Sequence, residues 1–251
     1  MKQKKSSFYK SIKLNRALLA IFLIICILFI TLVGINVSAQ KSTQSVSAFC
    51  AYNKTIIIDA GHGGFDSGAI ACDGSQEQIY NLKISQKVRE LFLSFGYNVI
   101  MTREDENAIN NADASTIREK KKTDMYKRMD IMTKAQNPIF ISIHQNTSPS
   151  KSAKGSVVYF TKNLPDAEKI AQSIQSNITD NLQPENKRTI VEAKSNLFLL
   201  HKATCPAVLV ECGFISNKAE LDKIKKDEYQ NKISFLIFKG VNDFIQSEYS
   251  A

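Results

Sequence analysis

The chain has 251 residues with 33 Lys and Arg against 24 Asp and Glu, a formal charge of +9. Six of the basic residues (Lys2, Lys4, Lys5, Lys10, Lys13 and Arg16) lie in residues 1–16, which hold no acidic one, and the rest of the chain holds 27 basic against 24 acidic residues. That near-balance excludes a nucleic-acid footprint, and the length left after the amino-terminal segment suits one ordinary domain.

Residues 1–16 read as a basic segment and residues 17–37 as an apolar one. The run without charge is long enough to span a bilayer. The charge before it places the amino terminus in the cytoplasm, so the rest of the chain is expected outside. Val37-Ser38-Ala39 also resembles a signal-peptidase site, and cleavage near Ala39 would release the protein instead. The expectation is a single-pass cell-membrane protein, with secretion as the alternative. Residues 38–53 read as a Ser/Thr/Gln-rich linker and residues 54–248 as the catalytic domain. Cys50, Cys72, Cys205 and Cys212 lie in the exported part. They allow up to two disulfides. Cys212 reads as a buried small hydrophobe.

Thr55–Ile58 is a short β-branched run that breaks into Asp59, Gly61, His62, Gly63, Gly64, Asp66 and Gly68. It reads as a strand followed by a tight loop. A helix begins near Ser75 or Gln76 with Glu77 in its first turn, shows apolar residues near a 3.6 period, and stops at Phe95-Gly96. Residues 97–101 form the second strand, giving a βαβ unit and a largely parallel sheet. Residues 117–136 read as helix, 139–143 as the third strand running into His144, and 156–160 as the fourth. Residues 166–182 and 229–247 read as amphipathic helices, and 207–210 as a strand running into Glu211. The expected fold class is α/β: one open, mostly parallel, twisted sheet of five or six strands with helices on both faces, preceded by a transmembrane helix.

Two histidines and two glutamates therefore collect where open α/β sheets place their chemistry, beyond the carboxyl ends of strands. Zinc in a hydrolase takes three protein ligands and leaves one position open. His62, His144 and Glu77 supply such a set, and Glu211 then serves as general base. The residues alone leave the two glutamates exchangeable. Asp59 and Asp66 are candidates to orient a histidine. No HExxH, GxSxG elbow or Walker motif is present.

The segments Asp59-Ala60-Gly61-His62-Gly63-Gly64, Glu77 with Asn81-Leu82, Met101-Thr102-Arg103, Ile141-Ser142-Ile143-His144-Gln145-Asn146 and Pro206-Ala207-Val208-Leu209-Val210-Glu211-Cys212-Gly213-Phe214 resemble, in order, the motifs of the zinc-dependent N-acetylmuramoyl-L-alanine amidases. The resemblance implies that His62, Glu77 and His144 bind one Zn²⁺ and that Glu211 is the catalytic acid and base. It implies peptidoglycan as substrate and hydrolysis of the amide between N-acetylmuramic acid and L-alanine of the stem peptide. Within the family the chain is most similar to CwlD-type germination amidases, which implies spore-cortex maturation. The implied partners are a muramic acid deacetylase that acts on the product and an accessory activating protein. A general autolysin or cell-separation amidase, or a non-catalytic peptidoglycan-binding membrane protein, are the alternatives. His201 departs from the family pattern near the cleft and reads as a helix-end residue. Ala60 replaces a common proline.

Overall fold

The computed structural model describes residues 54–249 apart from Asn163. Its strands are β1 (Thr55–Ala60), β2 (Asn98–Met101), β3 (Pro138–Asn146), β4 (Val157–Phe160), β5 (Val191–Glu192) and β6 (Ala207–Phe214). Its helices are α1 (Glu77–Ser94), α2 (Ile117–Lys134), α3 (Pro165–Asn181), α4 (Phe198–Lys202), α5 (Lys218–Ile224) and α6 (Asp227–Tyr249). The six strands form one sheet in the order β2-β1-β3-β6-β4-β5. β2, β1, β3 and β6 run parallel, whereas β4 pairs antiparallel with β6 and parallel with β5.

The chain moves from β1 to β2 on one side and then crosses to β3 on the other. The turning point of the strand order therefore lies between β1 and β3, where such sheets bind ligands at their carboxyl edge. β1 is buried along its whole length, as expected of a parallel strand covered on both faces. Side chains alternate across the sheet. Ile56, Ile58, Ile139, Ile141, Ile143, Val208 and Val210 pack against α1, α3 and α6. Ile57, Phe140, Ala207 and Leu209 pack under α2 and α4. By the same alternation Asp59, Ser142, His144 and Glu211 point to the α2 and α4 side. The residues that carry polar chemistry thus share one face, and the other face is left to the larger apolar core.

Local signals account for the helix ends. Thr116 and Glu119 form a reciprocal capping box at the start of α2. Pro165 occupies the first turn of α3. Asn217 caps α5 by accepting from Ala219 and Glu220 amides.

Several expectations are corrected. The segment 17–37 expected to span a membrane lies outside the described residues. Among the described residues no helix is long and apolar enough to cross a membrane. α6, the longest, carries Asp227, Glu228, Lys232, Lys239, Asp243 and Glu248, a polar face no bilayer core accepts. The described residues accordingly form a single α/β domain with a six-stranded sheet, and the expected single-pass cell-membrane location finds no spanning helix among them. α5 and β5 were not expected from the sequence, because they are short and depend on tertiary contacts. β3 and β6 run further than expected, so His144 and Glu211 lie within strands, directly opposite one another in the register. Cys72, Cys205 and Cys212 are free thiols, and Cys212 is fully buried in the larger core. Cys50 lies outside the described residues.

Ile141 sits at the centre of β3 with no exposure. Ile141→Ala is expected to lower unfolding free energy by about 2–5 kcal/mol, read by urea denaturation with the slope unchanged.

Candidate metal centre

The centre is built from the carboxyl ends of β1 and β3 and the first turn of α1. The loop after β1 carries His62, whose backbone is in the left-handed region at φ 62°. α1 carries Glu77 at its amino end, where an anion is favoured. β3 carries His144. The donor atoms of these three residues all lie within 4.8 Å of one another.

Glu77 is the hub. Its Oε2 lies 3.3 Å from His62 Nε2 and its Oε1 3.0 Å from His144 Nδ1. The Ala69 amide donates to Oε2 at 2.9 Å, and the Gln145 amide and Asn81 Nδ2 donate to Oε1 at 3.1 and 3.0 Å. Burial works against ionisation of Glu77. Its hydrogen bonds to the two imidazoles outweigh that and hold the carboxyl well below the usual carboxylate range. On the far side of His62, Asp66 Oδ2 lies 2.9 Å from Nδ1. Burial opposes charge on His62, yet its hydrogen bonds to Asp66 and Glu77 prevail and push its pKa up to about 9.

Two glycines are required by contact. A Cβ on Gly61 would lie 2.3 Å from His144 Nε2, and one on Gly68 would lie 2.5 Å from Glu77 Oε2. Both positions therefore exclude any side chain from the space around the donors.

The donor set suits a divalent transition metal with two imidazoles and one carboxylate. Asp66 fixes the His62 ring from behind, so that Nε2 faces the cluster. Beside the three donors stands Glu211, opposite His144 in the register of β3 and β6. Its Oε2 is buried and has no hydrogen-bond partner, an orphaned acceptor aimed at nothing in the protein. Burial pushes the Glu211 carboxyl up to about 7.

A cleft opens over the cluster, lined by His62, His144, Met125, Asn196, Leu197 and Phe198. A second, more polar groove holds Glu211, Tyr159, Asn146 and Lys194 and shares Asn196 and Leu197 with the first. An extended substrate laid along both would pass the donors and Glu211 in turn.

A family model described as N-acetylmuramoyl-L-alanine amidase matches residues 56–243. The chain belongs to the Amidase_3 family. This amidase-family chain is similar to the germination-specific N-acetylmuramoyl-L-alanine amidase of Bacillus subtilis strain 168, at 30% identity over 188 residues, covering 75% of this chain and 78% of that protein. It is similar in structure to the CwlD amidase from Clostridioides difficile, solved in complex with the GerS lipoprotein, with a TM-score of 0.75 and 34% identity over 78% of this chain and 100% of the other. The N-acetylmuramoyl-L-alanine amidase from Clostridium difficile 630 matches with a TM-score of 0.66 and 27% identity, over 79% and 98% of the two chains.

Of the residues singled out in the sequence, the fold brings His62, Glu77, His144 and Asp66 into contact and sets Glu211 beside them. Asp59 does not reach either histidine. It accepts from Thr102 and Ser142 hydroxyls at 2.8 and 2.6 Å and pairs with Arg128 at 2.5 Å. Asn146 holds its own loop, accepting from the Ile215 and Thr147 amides. His201 is exposed on α4 and lines neither groove. The sequence reading gave no role to two buried arginines, Arg103, named there only within the segment Met101-Thr102-Arg103, and Arg128; they hold the carbonyls of Ala60, Gly61 and His62. A signal for Arg128 was present: Asp124, Arg128 and Met132 share one helical stripe, and an ion pair on a core-facing stripe is unusual.

Metal binding at His62 must displace a proton that the metal-free site holds up to about pH 9. The raised pKa means His62 stays protonated below it, so zinc affinity is expected to climb up to about tenfold per pH unit from near neutrality and to flatten above about 9. Chelator competition across that range checks this, and Asp66→Asn is expected to move the flattening to lower pH.

Proposed function

We propose that the protein is a zinc-dependent N-acetylmuramoyl-L-alanine amidase of the spore cortex, cleaving the amide between N-acetylmuramic acid and L-alanine in peptidoglycan. The observation that carries this reading is the convergence of two imidazoles and a carboxylate within 4.8 Å beside a buried carboxylate oxygen that no protein group satisfies.

His62, Glu77 and His144 would hold the Zn²⁺. Bound there, the cation would supply Lewis acidity for the amide carbonyl and lower the pKa of water. Glu211 accepts the proton of the attacking water and returns it to the departing alanine nitrogen. A carboxyl near pKa 7 is matched to taking and giving a proton near neutral pH. Asp66 keeps His62 in one tautomer and one ring orientation. The paired grooves accommodate a glycan-linked peptide on either side of the reacting bond.

Likeness to the germination-specific and CwlD amidases supports the cortex as the setting. The GerS lipoprotein bound to CwlD supports an accessory lipoprotein as partner. A general wall amidase is the second reading, favoured by 29% identity to the probable cell wall amidase LytH of Staphylococcus saprophyticus.

Digestion of purified cortex and vegetative peptidoglycan, with products identified by mass, tests the reading. Free stem peptides beginning at L-alanine, formed from cortex and dependent on zinc, are expected. Cleavage at another bond contradicts the amidase assignment, and equal action on vegetative wall favours the second reading. Glu211→Gln is expected to keep its zinc and lose about 10²–10⁴-fold in kcat/KM. For the unsubstituted zinc-loaded enzyme, kcat/KM should fall as pH drops through the titration of Glu211, because the base must be ionised to act, and the charge of the bound zinc would draw that fall below the metal-free value of about 7.

A further inference from the structure

Arg103 follows β2 and is 3% exposed. Among the described residues no carboxylate lies within ion-pair distance of it. Its donors go to backbone carbonyls instead. Nε donates to Ala60 at 2.9 Å and Nη1 to Asp105 at 2.7 Å. Nη2 donates to both Gly61 at 3.0 Å and Gln78 at 2.9 Å.

Those last two carbonyls flank the candidate ligands. Gly61 immediately precedes His62, and Gln78 immediately follows Glu77. One guanidinium nitrogen thus ties the loop after β1 to the first turn of α1 at the two points where the donors leave the backbone. Asn81 reinforces the same tie, with Nδ2 donating to the Gly61 carbonyl at 3.2 Å and to Glu77 Oε1 at 3.0 Å. The packing leaves no slack: a Cβ on Gly63 would sit 3.0 Å from Arg103 Cδ.

Stability alone does not account for this arrangement. Burying a cation without a carboxylate is costly, and well-packed apolar replacements of buried ions are often neutral or stabilising. A planar fork with fixed donor directions does what an apolar side chain or a lysine cannot: it sets the distance between several carbonyls at once.

We propose that Arg103 is a positioning residue that sets the spacing of His62 and Glu77, so that the metal site is formed before the metal arrives. The proposal rests on the metal reading given above. It assigns Arg103 no contact with metal or substrate.

The test compares Arg103→Met and Arg103→Lys with the unsubstituted chain, reading zinc affinity by chelator competition and thermal midpoint without metal. Met132→Ala serves as the control, since Met132 is buried on α2 within the apolar cluster that α2 and α4 cover. Both Arg103 variants are expected to lose about 10–100-fold in zinc affinity, whatever happens to the metal-free midpoint. Met132→Ala is expected to lower the midpoint with zinc affinity within about twofold, as a core cavity predicts. Unchanged zinc affinity in a folded Arg103 variant overturns the proposal. So does failure of both variants to fold, which assigns the residue to stability. An unsubstituted chain that takes no zinc overturns the metal reading itself, and this proposal with it.

Discussion

Everything at the centre depends on one carboxylate being held with both oxygens engaged. Glu77 reaches one imidazole with each oxygen and takes three further hydrogen bonds from two amides and Asn81. Those donors come from the loop after β1, the next turn of α1 and the end of β3. A shift in any of the three elements would break a bond to the same group. The site is therefore a constraint on the fold as much as a product of it, and His62 is held in a left-handed backbone conformation within it.

Sheet alternation explains why this strain can be supported. The residues of even number on β1 and odd number on β3 build the larger core with α1, α3 and α6. The opposite parity faces α2 and α4, where the strand ends turn polar. There Asp59, Arg128, Asp124, Thr102 and Ser142 form a buried network. Its charges are paired, and the spare guanidinium donors of Arg128 go to the Ala60 and His62 carbonyls. Burial strengthens such bonds and makes loss of a partner expensive. α2 thus braces the loop that a short, glycine-rich sequence could not hold alone.

Much of this was legible in the sequence. β1, β3 and β6 stood out because buried parallel strands are apolar runs, and the glycines and histidine after β1 broke that pattern abruptly. His62, His144, Glu77 and Glu211 could be grouped because element ends of one parallel sheet meet at one edge, whereas the choice of Glu77 over Glu211 as the third ligand rested on the family resemblance. The order of β4 and β5 was not legible, since two short strands give no signal for direction. The partner of Asp59 was not legible either. A carboxylate at a strand end reads equally as a turn residue or as support for a histidine, and the arginine it meets lies 69 positions away. The buried state of Arg103 and Arg128 was hidden because arginine ordinarily marks surface. The amino-terminal apolar segment illustrates a different limit. Composition alone suggested a spanning helix at residues 17–37, which lie outside the described residues, and among the described residues no helix is long and apolar enough to cross a membrane.

The most direct test of the account is zinc content. The purified chain, the three single variants His62→Ala, Glu77→Gln and His144→Ala, and Glu211→Gln would be dialysed against zinc and then against metal-free buffer. The account predicts one zinc retained by the unsubstituted chain and by Glu211→Gln, and none by the three ligand variants. Zinc retained at full occupancy by the ligand variants, or lost from Glu211→Gln alone, would contradict it.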